Sequence, residues 1–417
     1  MPLAHHQRLI ALVLMLNYFL FGLLLNSVGI VILQSINSFG ISKESAAVLE
    51  GFKDIPIAIV SFFVAALLPR LGYRRAMMIA LAVVVAACLA MPLLREFWAS
   101  KLFFLCVGAA FALVKVSVYA SIGLLTRDKQ DHASLMNTIE GIFMLGVLSG
   151  YWLFGAFIDA QNPASLGWLD TYWLLATICG INLLVMMAVR FDDRPARDDG
   201  ARPLDDFIAM LRLAARPLVY TFVFSLFLYV LIEQGIGSWL PTFNNQVLKL
   251  PASISVQITS LFALSLALGR LGAGQLLKHI PWHWLLSGCV LAMATLMLLT
   301  LPLSHQVEAD PRAHWFNLPL VAYLFPLIGL FMAPIYPVLN SVVLSALPRQ
   351  QQSSMAGLII LFSALGGTTG SMITGMMFSR FSGQTAFYLA LVPMAIILLL
   401  LFQLRRRTHE PVPTPVV

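Results

Sequence analysis

LIALVLMLNYFLFGLLLNSVGIVIL, residues 9–33, is twenty-five residues without a charge. About 20 apolar residues cross the roughly 30 Å hydrocarbon core of a bilayer as a helix, so this stretch reads as a membrane span. It exceeds a signal-peptide core and lacks an A-x-A-like cleavage site, so it is retained as the first helix.

Working outward, the chain repeats the pattern. Further apolar runs lie near 46–68, 76–94, 102–125, 133–157, 172–189, 218–240, 254–277, 284–303, 318–346, 354–378 and 385–403, predicting twelve transmembrane helices. Of the 417 residues, 59% are hydrophobic and 11% charged, more apolar surface than a soluble fold buries. The runs do not alternate, which excludes a transmembrane barrel and leaves an all-α membrane protein. The net charge of +7 forms no contiguous basic face, which excludes a nucleic-acid partner. Cys88, Cys106, Cys179 and Cys289 all sit in apolar runs without CxxC spacing and read as small hydrophobes, so neither metal nor cofactor is expected.

Seventeen Lys and Arg fall in the N-terminus and the alternate loops that share its side, against six in the opposite loops. The positive-inside rule then places both termini in the cytoplasm of a bacterial-type inner membrane. Trp98, Trp168, Trp173 and Trp239, with Trp282 and Trp284 at the other side, are expected to form interfacial belts. Residues 190–217 hold DDRPARDDGARPLDD followed by Leu204, Phe207, Ile208 and Leu211 at helical spacing. This is a cytoplasmic linker, either an amphipathic helix on the membrane or a partly disordered loop, between halves at 1–189 and 218–417.

The halves resemble each other. An offset of 220 superposes Gly146 on Gly366, Gly150 on Gly370 and Gly155 on Gly375; an offset of 208 superposes Gly29 on Gly237 and Asn26 on Gln234. Aligned glycines allow close helix approach, and two parallel six-helix repeats place a substrate site at their interface near mid-membrane.

On these residues the chain resembles the major facilitator superfamily. Pro69-Arg70-Leu71-Gly72-Tyr73-Arg74-Arg75 is similar to its basic signature after helix two, with Ala65 and Pro69 where Gly and Asp are expected, and Gly269-Arg270-Leu271 looks like the counterpart in the second half. Phe227-Leu228-Tyr229-Val230-Leu231-Ile232-Glu233-Gln234-Gly235-Ile236-Gly237-Ser238-Trp239-Leu240 resembles helix seven of the fucose/glucose/galactose–proton symporter branch. The resemblance implies a major facilitator fold, a cavity lined by helices one, four, seven and ten, and gating roles for Arg70, Arg74 and Arg270. It also implies departures, since Lys115 and Gly29 stand where that branch carries acidic residues.

Charges inside lipid cost roughly 2.5–3.5 kcal/mol each on insertion scales and so must pair, face a cavity or snorkel. Glu50, Lys53 and Asp54 on span two can form a local cluster, with Glu50 expected in the outer headgroup zone. Lys115, deep in span four, pairs with Glu140 or Asp54, or else ligates an anionic substrate or joins a proton relay. Glu140 and Glu233, with Asp54, are the candidate proton carriers; Arg270 is expected to pair at the inner gate. Asn26, Lys115, Tyr119, Glu233, Gln234, Tyr336 and Asn340 are the candidate substrate ligands.

The expected function is proton-coupled uptake of a small polar solute (a sugar derivative, sugar acid or zwitterion) by a monomer. The alternative transporter is an exporter of amphiphilic compounds or sugars, which Lys115 disfavours for cationic cargo. A membrane-embedded enzyme would need a catalytic constellation such as HExxH or G-x-S-x-G, and a sensor a soluble output domain; the sequence shows neither.

Overall fold

The computed structural model describes residues 5–125, 129–189, 210, 212–310, 313–347 and 349–409. The linker residues 190–209 and 211, with their expected amphipathic stretch, lie outside the described residues, as does the side chain of Arg70. Among the described residues the regular structure is entirely helical. The segments, numbered as the predicted spans, are one (His5–Asn26 and Val28–Phe39), two (Lys43–Leu71), three (Tyr73–Leu94), four (Phe97–Leu125), five (Lys129–Phe157) and six (Thr171–Ala188). They continue with seven (Pro217–Gly237 and Leu240–Gln246), eight (Ala252–Leu276), nine (Trp282–Thr300), ten (Leu320–Leu324, Ile328–Met332 and Ile335–Ala346), eleven (Arg349–Arg380) and twelve (Gly383–Tyr388 and Leu391–His409).

Eleven stretches among the described residues are long and apolar enough to cross a membrane. Segment two is not one of them. Its 29 residues reach about 43 Å at helical rise, but its described part carries Glu50, Lys53 and Asp54 within five positions. The outward faces explain where the remaining apolar surface goes. Leu93, Leu184, Leu299 and Leu399 are each 62–67% exposed, an arrangement that is costly in water and natural against acyl chains.

Segments one, seven, ten and twelve are broken rather than continuous. Segment one breaks at Ser27, whose hydroxyl donates to the Leu24 carbonyl at 2.7 Å, and segment seven at Ser238 and Trp239. In segment ten, Pro326 sits in a short 3-10 turn and Pro334 caps the last helix, because a proline removes a backbone donor and disrupts the ladder there. Broken helices leave backbone groups available beside a cavity, which is where membrane proteins tolerate them.

Close packing follows the glycines. A Cβ on Gly146 would run into the carbonyl of Phe19, and one on Gly366 into that of Phe227; Gly150 lies against Leu23 and Gly370 against Leu231. Segment five therefore packs on one as eleven packs on seven. The partners are related by 208 residues and the glycines by 220, the two offsets read in the sequence. Segments two and four, three and four, and three and six also pack together, as do eight and ten, nine and ten, and nine and twelve.

Segments one to six meet segments seven to twelve chiefly through two on eleven and five on eight. Side-chain contacts there gather at the end remote from Val189 and Pro217. Gly375 fits against Ala47 and the Lys43 carbonyl, Lys43 Nζ donates to the Phe378 carbonyl at 3.4 Å, and Trp152 stacks on Trp315 with ring centroids 5.1 Å apart. Trp168 and Trp239, expected in the aromatic belt, are 1% and 0% exposed. Each points its indole N–H at a hydroxyl, half-buried Ser38 at 3.2 Å and buried Ser371 at 3.1 Å, because a buried indole needs an acceptor. Trp98, Trp173 and Trp284 do face outward. All four cysteines are free thiols.

Candidate functional site

Beneath this end lies a cavity of about 260 Å³ between segments one, two and five and segments seven and eight. Its polar lining comes from Asn26 on segment one, Lys53 and Asp54 on two, Glu233 and Gln234 on seven, and Arg270 on eight. Phe143, Met144 and Tyr151 of segment five and Phe262 of eight supply the apolar wall. A larger depression of about 360 Å³ at the closed surface, lined by Lys43, Lys249 and His305, contains no carboxylate.

Two charge clusters face this cavity. In the first, Lys53 pairs with Glu50 one turn earlier and with Asp54 at 3.5 Å. Helical spacing brings Glu50 and Lys53 onto one face; burial makes the pairing obligatory, since the lysine side chain is 7% exposed and Glu50 is 0% exposed. Glu50 does not float in a headgroup zone, as the sequence suggested. It is enclosed by protein and accepts from the Ser238 hydroxyl at 2.7 Å, across from segment seven. Asp54 lies directly against Gly367 of segment eleven, where a Cβ would leave it no room. This cluster therefore locks segment two to seven and eleven.

The second cluster is Arg270 with Glu233, 3.8 Å apart. Arg270, read from sequence as an inner-gate residue, instead reaches the cavity, with a guanidinium nitrogen 3.9 Å from the Met144 sulfur of segment five. Its side chain is 42% exposed.

Lys115, Tyr119 and Glu140 are brought together, but beside this cavity rather than in its lining. The Tyr119 hydroxyl donates to Glu140 at 2.5 Å. Lys115 forms no ion pair among the described residues; its ammonium lies 5.8 Å and 5.9 Å from the Phe111 and Tyr119 ring centroids. The expected pairing with Glu140 or Asp54 is thus replaced by a phenol on the carboxylate and aromatic faces under the ammonium, an arrangement that favours a cation electrostatically. Tyr18 extends the cluster, its ring 6.0 Å from Tyr119.

Tyr336 and Asn340 of segment ten lie on the other side. Tyr336 is 5.9 Å from Tyr229 by ring centroids and 3.5 Å from the Ser363 hydroxyl; the Asn340 carbonyl oxygen is buried without a hydrogen bond among the described residues. Asn26 donates to the Gly22 carbonyl at 2.9 Å. Arg74, expected at the gate, donates to the carbonyls of Met187 and Val189, each at 2.7 Å, and so caps the end of segment six from segment three.

The sequence reading missed Ser238 and Tyr151, and treated Lys53 as local. Ser238 carried a usable signal, lying i+4 from Gln234 on the face that follows Gly237. Lys53 did not, because its role depends on where segments seven and eleven come to rest.

The geometry agrees with what the chain is similar to. The Major Facilitator Superfamily model matches residues 11–308 and 312–416. A search of curated proteins finds no match. Among solved structures, a mutant of the nucleoside transporter NupG superposes with a TM-score of 0.77 at 12% identity, covering 96% of this chain and 100% of that one. The E. coli fucose:proton symporter FucP gives 0.61 at 15% identity, covering 98% and 100%. A D-xylose–proton symporter gives 0.71 at 14%, covering 95% and 96%. Identities this low carry the fold alone; the family model, running over nearly the whole chain, carries the membership. The chain belongs to the Major Facilitator Superfamily, and is a membrane transporter rather than an enzyme.

Proposed function

We propose that this protein is a proton-coupled secondary active transporter that takes up a small polar solute, a sugar derivative, sugar acid or zwitterion, by alternating access. In this reading twelve spans form two six-helix halves, 1–189 and 218–417, joined by a cytoplasmic linker at 190–217, and the protein works as a monomer in an inner membrane. The recurring helix pairings and the glycine contacts at offsets of 208 and 220 support the two halves. Seventeen basic residues on one side against six on the other support the orientation, which makes the closed end external and the cavity ready to open inward.

The observation that carries the reading is the cavity itself, closed at one end and lined by Arg270, Glu233, Asp54 and two amides. Ionisable groups at this depth are tolerated where they bind cargo or move protons. A wall of paired charges is a poor host for an amphiphile, which disfavours the exporter. Two of the structural neighbours are described as proton symporters of fucose and xylose, in keeping with this assignment.

The test is uptake into proteoliposomes with an imposed inward proton gradient, using a panel of neutral sugars, sugar acids and zwitterions. At least one solute should accumulate, and a protonophore should abolish the accumulation. Failure of every solute to accumulate, or accumulation indifferent to the protonophore, refutes the proposal.

A further inference from the structure

Among the described residues two cations line the cavity, Lys53 and Arg270, and one of them is available. Lys53 is held by both Glu50 and Asp54 and is 7% exposed. Arg270 is 42% exposed, and the carboxylate it pairs with, Glu233, is 3.8 Å away, beyond hydrogen-bond distance. Its other contact is the Met144 sulfur at 3.9 Å. A guanidinium carries five N–H donors in a planar fork that matches a carboxylate at two points. Among the described residues no oxygen meets that fork at hydrogen-bond distance.

Lys53 and Arg270 face Glu50, Asp54 and Glu233, so the ionised cavity already carries one excess negative charge. An anionic solute adds another, and uncompensated charge in a low-dielectric site is costly. The groups around Glu233 are Arg270 on segment eight, Lys53 and Asp54 on two, Tyr336 on ten and Tyr229 on its own helix. Once Arg270 turns to a solute, Glu233 retains no uncommitted cation among them.

We propose that Arg270 receives the carboxylate of the transported solute and that Glu233, displaced from the guanidinium, takes up the proton that travels with it. The cargo is therefore a polar monocarboxylate. This rests on the transport reading above and names its substrate class. A doubly charged phosphate would need a second free cation in the lining, which Lys53 cannot supply and Lys115, outside the lining, does not. Asn26 keeps its carbonyl oxygen as an acceptor after donating to Gly22, and Gln234 lies opposite, so hydroxyls on the same solute find partners; a sugar acid meets both requirements. The anion site is thus Arg270 rather than Lys115, which the sequence offered as one candidate.

Calorimetric titration of the detergent-purified full chain tests this, with D-gluconate and D-glucuronate as probes and D-glucose and D-xylose as neutral controls. The acids should bind more tightly at acidic than at alkaline pH, and the neutral sugars should not bind. Arg270→Gln should raise the Kd of the acids about 10- to 100-fold, the loss expected for a charge-assisted pair. Arg270→Lys should retain part of the affinity, and Glu233→Gln should keep binding while losing its pH dependence. Neutral sugars binding as well as acids, Arg270→Gln binding acids like the parent, or no acid binding while a solute of another class is taken up would each overturn the inference and leave the transport reading standing. If no solute is bound or moved at all, the transport reading itself falls. Should Arg270→Gln fail to fold, Glu233→Gln decides: an unchanged pH dependence overturns the proposal.

Discussion

Replacing Lys53 by Met removes the one cation held between Glu50 and Asp54 while keeping most of the side-chain volume. Two buried carboxylates are then left without a counter-charge, Glu50 at 0% and Asp54 at 8% exposure. Glu50 retains the Ser238 hydroxyl, so at least one carboxylate has no strong partner and must bind a proton for the fold to survive. For a carboxyl with an ordinary pKa near 4, protonation at about pH 7 costs about 4 kcal/mol, and at about pH 5 about 1.4 kcal/mol. The neutral-pH figure agrees with the roughly 3–5 kcal/mol seen when a buried pair loses one partner. The sign is fixed by linkage: the folded variant binds the proton more readily than its unfolded chain, so its stability rises as pH falls from neutral towards 4 and declines as pH rises. Thermal or chemical denaturation in detergent should therefore show a large deficit at neutral pH that shrinks at acidic pH. Adding Glu50→Gln and Asp54→Asn should restore most of the loss. A deficit of equal size at both pH values would mean lost packing rather than stranded charge, and a Lys53→Met variant that melts with the parent would refute the reasoning altogether.

Three further outcomes are expected. Tyr119→Phe removes the 2.5 Å hydrogen bond to Glu140 and should cost about 1.5–3 kcal/mol in the same denaturation assay; a loss under about 0.5 kcal/mol would show that Glu140 is solvated instead. Gly29→Ala would place a Cβ 2.7 Å from the Ser238 carbonyl oxygen and 3.0 Å from its Cα, and backbone does not yield easily. Overpacking of about 1–3 kcal/mol should outweigh the roughly 1 kcal/mol gained in helix propensity, so a melting temperature equal to or above the parent's contradicts the close approach of segments one and seven. Gly200→Cys, in the linker, should resist a membrane-impermeant thiol reagent in intact cells; labelling from outside would reverse the orientation and with it the inward direction of opening.

Much of the fold was legible in the sequence because lipid imposes a simple rule: backbone polar groups must pair within the segment, so uncharged runs such as 9–33 become helices. The glycine offsets were equally legible, since a residue without a Cβ marks a close helix contact wherever it recurs, and Gly146 on Phe19 matches Gly366 on Phe227. The sequence also placed the charges on their helices, and along segment two it put Glu50 and Lys53 one turn apart. It did not say which charges would meet across helices. Lys115 and Glu140 were candidates for an ion pair, and Tyr119 took the carboxylate instead; Arg270 was assigned to a gate and turned inward to Glu233. Helical periodicity fixes neighbours three and four residues apart, whereas the distance between Arg270 and Glu233, or between Glu50 and Ser238, depends on the rotation and approach of separate helices. Those are set by packing over the whole bundle, and so it was the tertiary structure alone that turned a scatter of charges into a cavity closed at one end, lined by carboxylates and, among the described residues, by one available guanidinium.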